Sequence, residues 1–413
     1  MRKPRDTGAD REEASGCRNR SKGRRRNIQA VYEKELREIT EGITPPDHKA
    51  YREALKRWDA LAKPIGSLGA FEEMISALAA LKGSADISLE RPVLTVVCAD
   101  NGVVSEGVSQ SGQEVTLSVM KALSKHESTV SFMAEDTGIT VIPVDAGVNL
   151  SLQGLREEDE ISGLPELLDY DGEGNGRTDK YRILNRRILN GTADILKGPA
   201  MSRQDCLKAV LSGISLVREL KEAGADMVLT GEMGIGNTTT SAAVACVLTK
   251  EAPELLVGRG AGLPDDKLEK KLWVVKEALR INKPDGRDPI DVIAKVGGPD
   301  IAMLTGIFLG GARFGVPAVI DGYISQTAAL CAKGISASCL KAMIASHSSA
   351  ETGGDLLLEH LGKRAVIGAG MRLGEGSGAV MLYMLLKSAL NVYNSGHIFE
   401  RLGIEPYVRY NTT

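Results

Sequence analysis

Short apolar runs alternate with longer helical stretches along most of the chain. From residue 91 onward, each apolar run ends in a polar or glycine-rich cluster. Such continuous apolar strands, separated by helices, are typical of a parallel sheet covered on both faces. We predict strands at Val93–Cys98, Ile139–Val144, Met227–Thr230, Val316–Ile320, Met343–Ala345 and Ala365–Ile367. The pattern therefore predicts an α/β fold whose ligands bind beyond the carboxyl ends of the strands.

Two regions depart from this alternation. Residues 28–81 have the spacing of amphipathic helices, at Ala30–Ile39, Asp47–Leu61 and Phe71–Leu81, with a loop at Lys63–Gly69. Residues 151–187 are rich in Gly, Asp, Glu and Arg, which predicts a long surface excursion. The acids that begin at Asp169 imitate a calcium loop, but Lys180 occupies the position of its final acid, so calcium is disfavoured.

Composition excludes several classes of protein. A chain of 413 residues with 25% charged residues can bury a core without disulfides or metal. Basic residues crowd into the first 26 positions, so the remaining chain is acidic overall and predicts neither a nucleic-acid nor a lipid partner. Aromatic residues make up only 4%, which disfavours base stacking.

The same counts bear on location and metals. The basic tail lacks the apolar segment of a secretory signal, and the longest uncharged run, Met233–Thr249, carries too many polar groups for a membrane span. Six cysteines without a CxxC pair predict reduced thiols in the cytoplasm. Five histidines, none at HxxxH spacing, predict no zinc site.

The most informative motif is GEMGIGNTTT, residues Gly231–Thr240. A strand ends there, glycines permit close approach of a ligand, and a helix begins at the threonines. This arrangement suits a phosphate bound by backbone amides at a helix N-terminus, although a tight turn capped by Asn and Thr fits as well. The motif lacks the lysine of a Walker A loop.

Three further clusters have more than one interpretation. In GAGMRLGEGSG, Gly368–Gly378, no acid ends a following strand, which disfavours a dinucleotide site, and Glu375 is either approached by a ligand or an acid at a helix N-terminus. In SHSSAE, Ser346–Glu351, adjacent Ser and His side chains diverge, so we favour hydroxyls near an anion or helix caps over a hydrolase. The lysines after Gly258–Gly262 fit a solvated helix face with at most one inward lysine.

Several motifs together resemble one known family. They occur in a single order over about Tyr32–Leu390, as KPIGSLG at Lys63–Gly69, ADNGV at Ala99–Val103, EGVS at Glu106–Ser109, GPAM at Gly198–Met201, GEMGIGNT at Gly231–Thr238, DG at Asp321–Gly322 and RLGEGSG at Arg372–Gly378. This set resembles the nicotinate-nucleotide–dimethylbenzimidazole phosphoribosyltransferases. The resemblance implies transfer of phosphoribose from nicotinate mononucleotide to 5,6-dimethylbenzimidazole, giving nicotinate and α-ribazole 5′-phosphate for cobalamin synthesis.

The resemblance also implies roles for particular residues. Glu375 matches the general base, Glu232 the second carboxylate of the site and Lys271 the site lysine. Substrate- and phosphate-binding positions are expected at Gly234, Gly236, Asn237, Asp321, Gly322, Ser349 and Leu373, and base-pocket positions at Asp100 and Ser109. Because nicotinate leaves with its ring charge neutralised, only the azole N–H proton must move, and one carboxylate suffices for that transfer. Glu232 then stabilises oxocarbenium-like charge, and no metal or other cofactor is required.

The family's architecture implies a domain plan. Members are homodimers with a Rossmann-like large domain and a small helical domain built from both chain ends. We therefore expect a disordered basic tail at 1–27, small-domain helices at 28–90, the large α/β domain at 91–380, and a helix and tail completing the small domain at 381–413.

Some positions differ from the family pattern. Asn101 replaces an expected histidine, Gly353-Gly354 replaces Gly-His, His126–Gly138 lacks a Gly-Ala-rich helix, and the excursion at 151–187 is long. These differences leave open a paralogue that uses another base or a phenolic compound. They also leave a binding protein for azoles or nucleotides, a class that the intact Glu375 disfavours because a binder needs no base.

Overall fold

The computed structural model describes residues 27–149, 160–161, 164, 182–260 and 262–408. The basic tail, the calcium-like segment that begins at Asp169 and most of the 151–187 excursion lie outside these residues. The predictions made for them therefore remain predictions.

In the described residues, seven parallel strands form one sheet. In chain order they are β1 (Pro92–Ala99), β2 (Thr140–Gly147), β3 (Glu160–Ile161), β4 (Ile183–Asn185), β5 (Met227–Met233), β6 (Ala318–Ile320) and β7 (Met343–Ala345). Their order across the sheet is β3-β4-β2-β1-β5-β6-β7, and every pair is parallel. The carboxyl ends of all these strands therefore meet at one edge of the sheet.

Helices connect the strands and cover the sheet. In chain order they are α1 (27–41), α2 (His48–Ala60), α3 (Ala70–Lys82), α4 (Glu114–Ser124), α5 (Thr129–Ala134), α6 (Arg203–Glu222), α7 (Asn237–Thr249), α8 (Asp265–Asn282), α9 (Pro289–Val296), α10 (Pro299–Phe314), α11 (Tyr323–Ile335), α12 (Gly354–Leu361), α13 (Ser377–Asn394) and α14 (Phe399–Leu402). No described helix is both long enough and apolar enough to cross a membrane.

The two faces of the sheet have separate hydrophobic cores. On β1, Val93 and Val97 pack on one face with α6, α7 and α9 to α12. Leu94 and Val96 point to the other face, which α2 to α5 and α13 cover. Successive side chains of a strand alternate between faces, and both faces here are apolar, as in a doubly covered parallel sheet. The predicted α/β class with helices on both faces is confirmed.

Most of the predicted strands are present, with three differences. Ala365–Ile367 is not a strand, because only Ile367 pairs, in a single parallel bridge with His347, before the chain turns away. Conversely, the prediction missed β3 and β4, which both lie within the 151–187 excursion. All three segments lie at or near an edge of the sheet, where two or three residues alone do not distinguish a short strand from a loop.

The two ends of the described chain pack together. The rings of Trp58 in α2 and Tyr393 in α13 lie 4.9 Å apart, and Arg57 donates a hydrogen bond to the Tyr393 carbonyl at 3.2 Å. These side chains share one hydrophobic cluster with a face of the sheet. Because α13 is continuous from Ser377, the predicted boundary between residues 380 and 381 lies inside a helix. The division into two domains stays a prediction.

Candidate active site

A cleft of about 250 Å³ opens at the carboxyl ends of β5, β6 and β7. Nine of the predicted residues line it: Ser109, Glu232, Gly234, Gly236, Asn237, Gly322, Ser349, Leu373 and Glu375. Other lining residues were not predicted as site residues, among them Val108, Arg259, Tyr323, His347, Glu351 and Arg372. Lys271, Asp321 and Asp100 do not line it.

The loop between β5 and α7 forms the floor of the cleft. Gly236 precedes the helix with φ +93°, a backbone conformation that favours glycine. A Cβ atom on Gly234 would lie 2.5 Å from the Ala99 carbonyl oxygen, so only glycine lets the loop pack against β1. The Asn237 and Thr239 N–H groups donate to the Gly234 and Gly236 carbonyl oxygens, so it is the positive end of the α7 dipole that makes this turn suitable for an anion.

Glu232 lies at the end of β5 with its carboxyl group almost fully buried. Burial raises its pKa to about 8, although the Asn237 side-chain amide donates a hydrogen bond to Oε2 and opposes that shift. Its surroundings therefore favour the protonated carboxyl group.

Glu375 is held by an unusual backbone turn. Its φ is +58°, between Gly374 at +81° and Gly376 at +88°. A Cβ atom on Gly231 would lie 2.5 Å from the Glu375 carbonyl oxygen, so the turn packs directly on β5. The glycines around Glu375 are thus explained by backbone conformation and close packing. For a residue other than glycine, this φ is a strained conformation of the kind found at functional sites.

The turn brings the two glutamates into adjoining positions. The Glu375 N–H donates to the Glu232 carbonyl oxygen at 3.3 Å, and the Glu375 carboxylate accepts from the Val130 N–H at 3.4 Å. A Cβ atom on Gly374 would lie 2.7 Å from Glu232 Oε1. Burial raises the pKa of Glu375, against the hydrogen bond from Val130.

Lys271 lies behind the cleft wall. Its side chain is completely buried, and Nζ donates to Thr238 Oγ1 at 2.8 Å and to the Gly258 carbonyl oxygen at 2.9 Å. Burial lowers its pKa to about 8. Of its two partners, Thr238 lines the cleft, so Lys271 reaches the cleft through that hydroxyl.

Asp321 also lies behind the wall, although its neighbour Gly322 lines the cleft. Its buried carboxylate accepts hydrogen bonds from the backbone N–H groups of Gly376, Gly378 and Ala379, at 3.2, 2.8 and 3.1 Å. Burial raises its pKa. In the described structure the carboxylate thus anchors the start of α13 and the turn that carries Glu375, and its role in binding substrate stays a prediction.

Asp100 and Asn101, which follow β1, are buried away from the cleft. Asp100 Oδ2 accepts from the Asn149 N–H at 2.8 Å, and Asn101 Oδ1 accepts from Thr240 Oγ1 at 3.1 Å. Asp100 thus does not line the cleft, and its expected role in a base pocket stays a prediction. Ser109, by contrast, lies on the cleft wall.

His347 lines the cleft but was not a predicted site residue, although its motif, Ser346–Glu351, was noted as a candidate cluster. It follows the carboxyl end of β7 by two residues. The strand-end rule that located the other loops also applies here. Among the described residues, no group of three or more His, Cys, Asp or Glu side chains is placed to hold a metal ion.

Comparison with known proteins agrees with this geometry. The cleft has glycine-rich loops and two carboxyl groups at the carboxyl edge of a parallel sheet, and the phosphoribosyltransferase family model matches residues 43–404. The chain is 41% identical over 352 residues to the nicotinate-nucleotide–dimethylbenzimidazole phosphoribosyltransferase of Acetivibrio thermocellus, covering 85% of this chain and 93% of the relative. The enzyme of that name from Escherichia coli is 36% identical over 361 residues, covering 87% and 93%.

A solved structure supports the same assignment. The crystal structure of the Thermus thermophilus enzyme of that name has a TM-score of 0.75 and 32% identity, covering 87% of this chain and 99% of that one. The chain belongs to the nicotinate-nucleotide–dimethylbenzimidazole phosphoribosyltransferase family.

Proposed function

We propose that this protein transfers phosphoribose from nicotinate mononucleotide to 5,6-dimethylbenzimidazole. The observation that carries the proposal is the placement of Glu232 and Glu375 on one cleft whose floor is a glycine loop. A group that accepts a proton, a group that meets the sugar and an anion-binding turn are the parts that this reaction needs. Family membership supports the same substrates.

Glu375 is the proposed general base. Burial raises the pKa of its carboxyl group, which makes the carboxylate a better proton acceptor than an exposed one. The strained turn and the Val130 N–H hold the carboxylate in one place. The proton it accepts is the azole N–H proton, which becomes acidic as the other ring nitrogen bonds to the anomeric carbon.

Glu232 is proposed to face the sugar. Its raised pKa, about 8, favours the protonated form before the nucleotide binds. The bound nucleotide carries a positive ring nitrogen, and a nearby positive charge favours the ionised carboxylate. Glu232 therefore releases its proton as the nucleotide binds and then stabilises positive charge that develops on the ribose.

The phosphate is proposed to lie between the first turns of α7 and α11. Gly234, Gly236 and Asn237 contribute one side of this subsite, and Gly322 and Ser349 the other. The Ser349 hydroxyl accepts from the Glu351 N–H at 3.3 Å, which leaves its own proton to donate to an oxyanion. Lys271 contributes positive charge through Thr238.

The accepted base is proposed to rest on the apolar part of the cleft. Val108, Leu263 and Leu373 line it, and Leu373 is 48% exposed, which leaves its side chain available to a flat ring. Asn101 does not reach this surface, so it gives no reason to expect a changed base preference. The segment His126–Gly138 does reach the site, through the Val130 N–H. Among the described departures from the family pattern, that segment is the one through which a relaxed choice of base is proposed.

We propose a homodimer that acts in the cytoplasm. Met381, Met384 and Leu385 on α13 are between 42% and 46% exposed and lie on one helix face, as a surface buried by a second copy would. The five described cysteines are free and buried, which fits a reducing compartment. Sedimentation of the wild-type protein tests the dimer, and Met384→Glu should shift it toward monomer.

Product analysis tests the proposed reaction. The protein is incubated with nicotinate mononucleotide and dimethylbenzimidazole, and we expect equal amounts of nicotinate and α-ribazole 5′-phosphate. A reaction without base controls for hydrolysis. Parallel reactions with benzimidazole, adenine and p-cresol identify a paralogue with another acceptor. Binding of the nucleotide without nicotinate release, for every acceptor, would support the binding-protein alternative and overturn the enzyme.

A further inference from the structure

His347 lines the cleft, yet none of the roles proposed above uses it. Its side chain is only 3% exposed, and its ring packs on the start of α13, where a Cβ atom on Gly378 would overlap the imidazole. The backbone is also held, because His347 bridges Ile367. The ring therefore has one position, and Gly378 makes room for it.

The two ring nitrogens have different surroundings. Nδ1 lies 3.0 Å from Ser346 Oγ and 3.9 Å from Asp321 Oδ1, so protein groups occupy that side. In the described part of the chain nothing pairs with Nε2. A Cβ atom on Gly322 would lie 3.6 Å from Nε2 and 3.7 Å from Ser349 Oγ, so both polar atoms border the same space in front of α11.

We propose that His347 binds the phosphate of the nucleotide through Nε2. This inference rests on the proposed function and adds a residue to its phosphate subsite. The space that Nε2 borders also faces the first N–H groups of α11, which have no partner within the helix. An unpaired nitrogen of a buried ring and a helix N-terminus thus converge on one anion position.

The two sides of the ring thus have separate partners. The Asp321 carboxyl group lies on the Nδ1 side, and the phosphate would lie on the Nε2 side. His347 would then donate a hydrogen bond to the phosphate from Nε2. Thr238, whose hydroxyl is bonded to Lys271, lines the same cleft.

Two substitutions test the contributions of the two His347 ring nitrogens separately. His347→Gln places an amide N–H near the position of Nε2, whereas His347→Asn keeps a polar group near Nδ1 and removes the one in the cleft. A hydrogen bond to a charged group contributes roughly tenfold or more in affinity. We expect His347→Asn to raise KM for nicotinate mononucleotide by about that factor, with a smaller change in kcat, and His347→Gln to restore most of the loss. The KM for dimethylbenzimidazole should stay within about twofold.

Inorganic phosphate supplies a second, independent measurement. It should inhibit competitively against the nucleotide, and its Ki should rise in His347→Asn in parallel with KM. His360→Asn is the matched control, because His360 pairs with Glu251 on the outside of α12 and should leave both constants unchanged. Unchanged KM and Ki in His347→Asn, or a lower melting temperature with unchanged Ki, would overturn the inference.

The two proposals can fail separately. If the wild-type protein releases no nicotinate with any base, the proposed function fails. The rise in melting temperature caused by inorganic phosphate still tests His347 in that case. The wild-type protein should be stabilised and His347→Asn should not, and equal stabilisation of both would overturn the inference.

Discussion

The carboxyl ends of β1 and β2 carry the same sequence signal as those of β5, β6 and β7, but the two regions have different structures. After β1 and within β2, Asp100 and Asp145 bond to the backbone N–H groups of Asn149 and Val148, at 2.8 and 2.9 Å, and Arg187 pairs with Asp145. After β5 and before α13, Glu232 and Glu375 instead face an open cleft. A polar residue at a strand end is thus a site residue only where no other segment covers it.

Glycine explains why one region is open. The turns at Gly234–Gly236 and Gly374–Gly376 pack tightly on the strands beneath them and so leave the space above free. At the other region, residues 182–192 run across the ends of β1 and β2, where the Thr192 N–H bonds to the Asp100 carbonyl oxygen. The ends of β1 and β2 are thus closed by a segment that is distant from β1 in sequence, and the periodicity of the strands does not reveal it.

Glu375→Gln should have the largest effect and tests the open region. The amide keeps the size of the side chain but does not accept the azole proton, so turnover should fall roughly 10²–10⁴-fold, with little change in KM for the nucleotide. Nicotinate release measures this fall. Glu359→Gln, on the exposed face of α12, is the control. Activity within about threefold of wild type would assign the proton to solvent or to Glu232.

Asp321→Asn tests whether the cleft wall depends on a buried anchor. The amide replaces one acceptor with a donor that faces the N–H groups of α13, so the free energy of unfolding should fall by about 1–3 kcal/mol. Turnover should fall as well, because the Glu375 turn loses its support. Thermal unfolding and nicotinate release measure the two effects, with Asp266→Asn on exposed α8 as the control. Unchanged stability would mean that the backbone alone holds the turn.

Glu232→Gln tests the burial of its carboxyl group through pH. The pKa of Glu232 is about 8 in the folded protein against an ordinary value of 4.5. Between those two pH values the folded state binds a proton that the unfolded state has lost, so stability falls as pH rises. Melting temperatures from about pH 5 to pH 8 should therefore decline less in the Gln variant than in wild type. Parallel curves would show that Glu232 titrates normally.

Asn101→Ala should have the smallest effect on chemistry and tests whether the first region is closed. The Asn101 side chain bonds to Thr240 and does not line the cleft. We expect a lower melting temperature, while the product ratio among dimethylbenzimidazole, benzimidazole, adenine and p-cresol in competition stays that of wild type. A changed product ratio would place Asn101 within reach of the base and contradict the conclusion that the region after β1 is closed.

Sequence alone was sufficient for the fold class and for most of the cleft. Apolar runs of strand length and the glycines that follow them depend on local rules, so β1, β2, β5, β6 and β7 were predictable, as were the loops at Glu232 and Glu375. Ala365–Ile367 and β4 were not, because pairing at the edge of a sheet depends on whether a neighbouring segment offers a free strand edge.

The tertiary structure decided which polar residues meet a ligand. Asp321 and Gly322 are adjacent, yet the carboxylate turns toward the N–H groups of α13 while the glycine faces the cleft. Lys271 is on a helix rich in charged residues; the family resemblance singled it out, but spacing along the helix does not show that it is the buried lysine. Sequence spacing reports the direction of a side chain relative to its own element. Burial and pKa depend on the segments that pack against that element, and these come from distant parts of the chain.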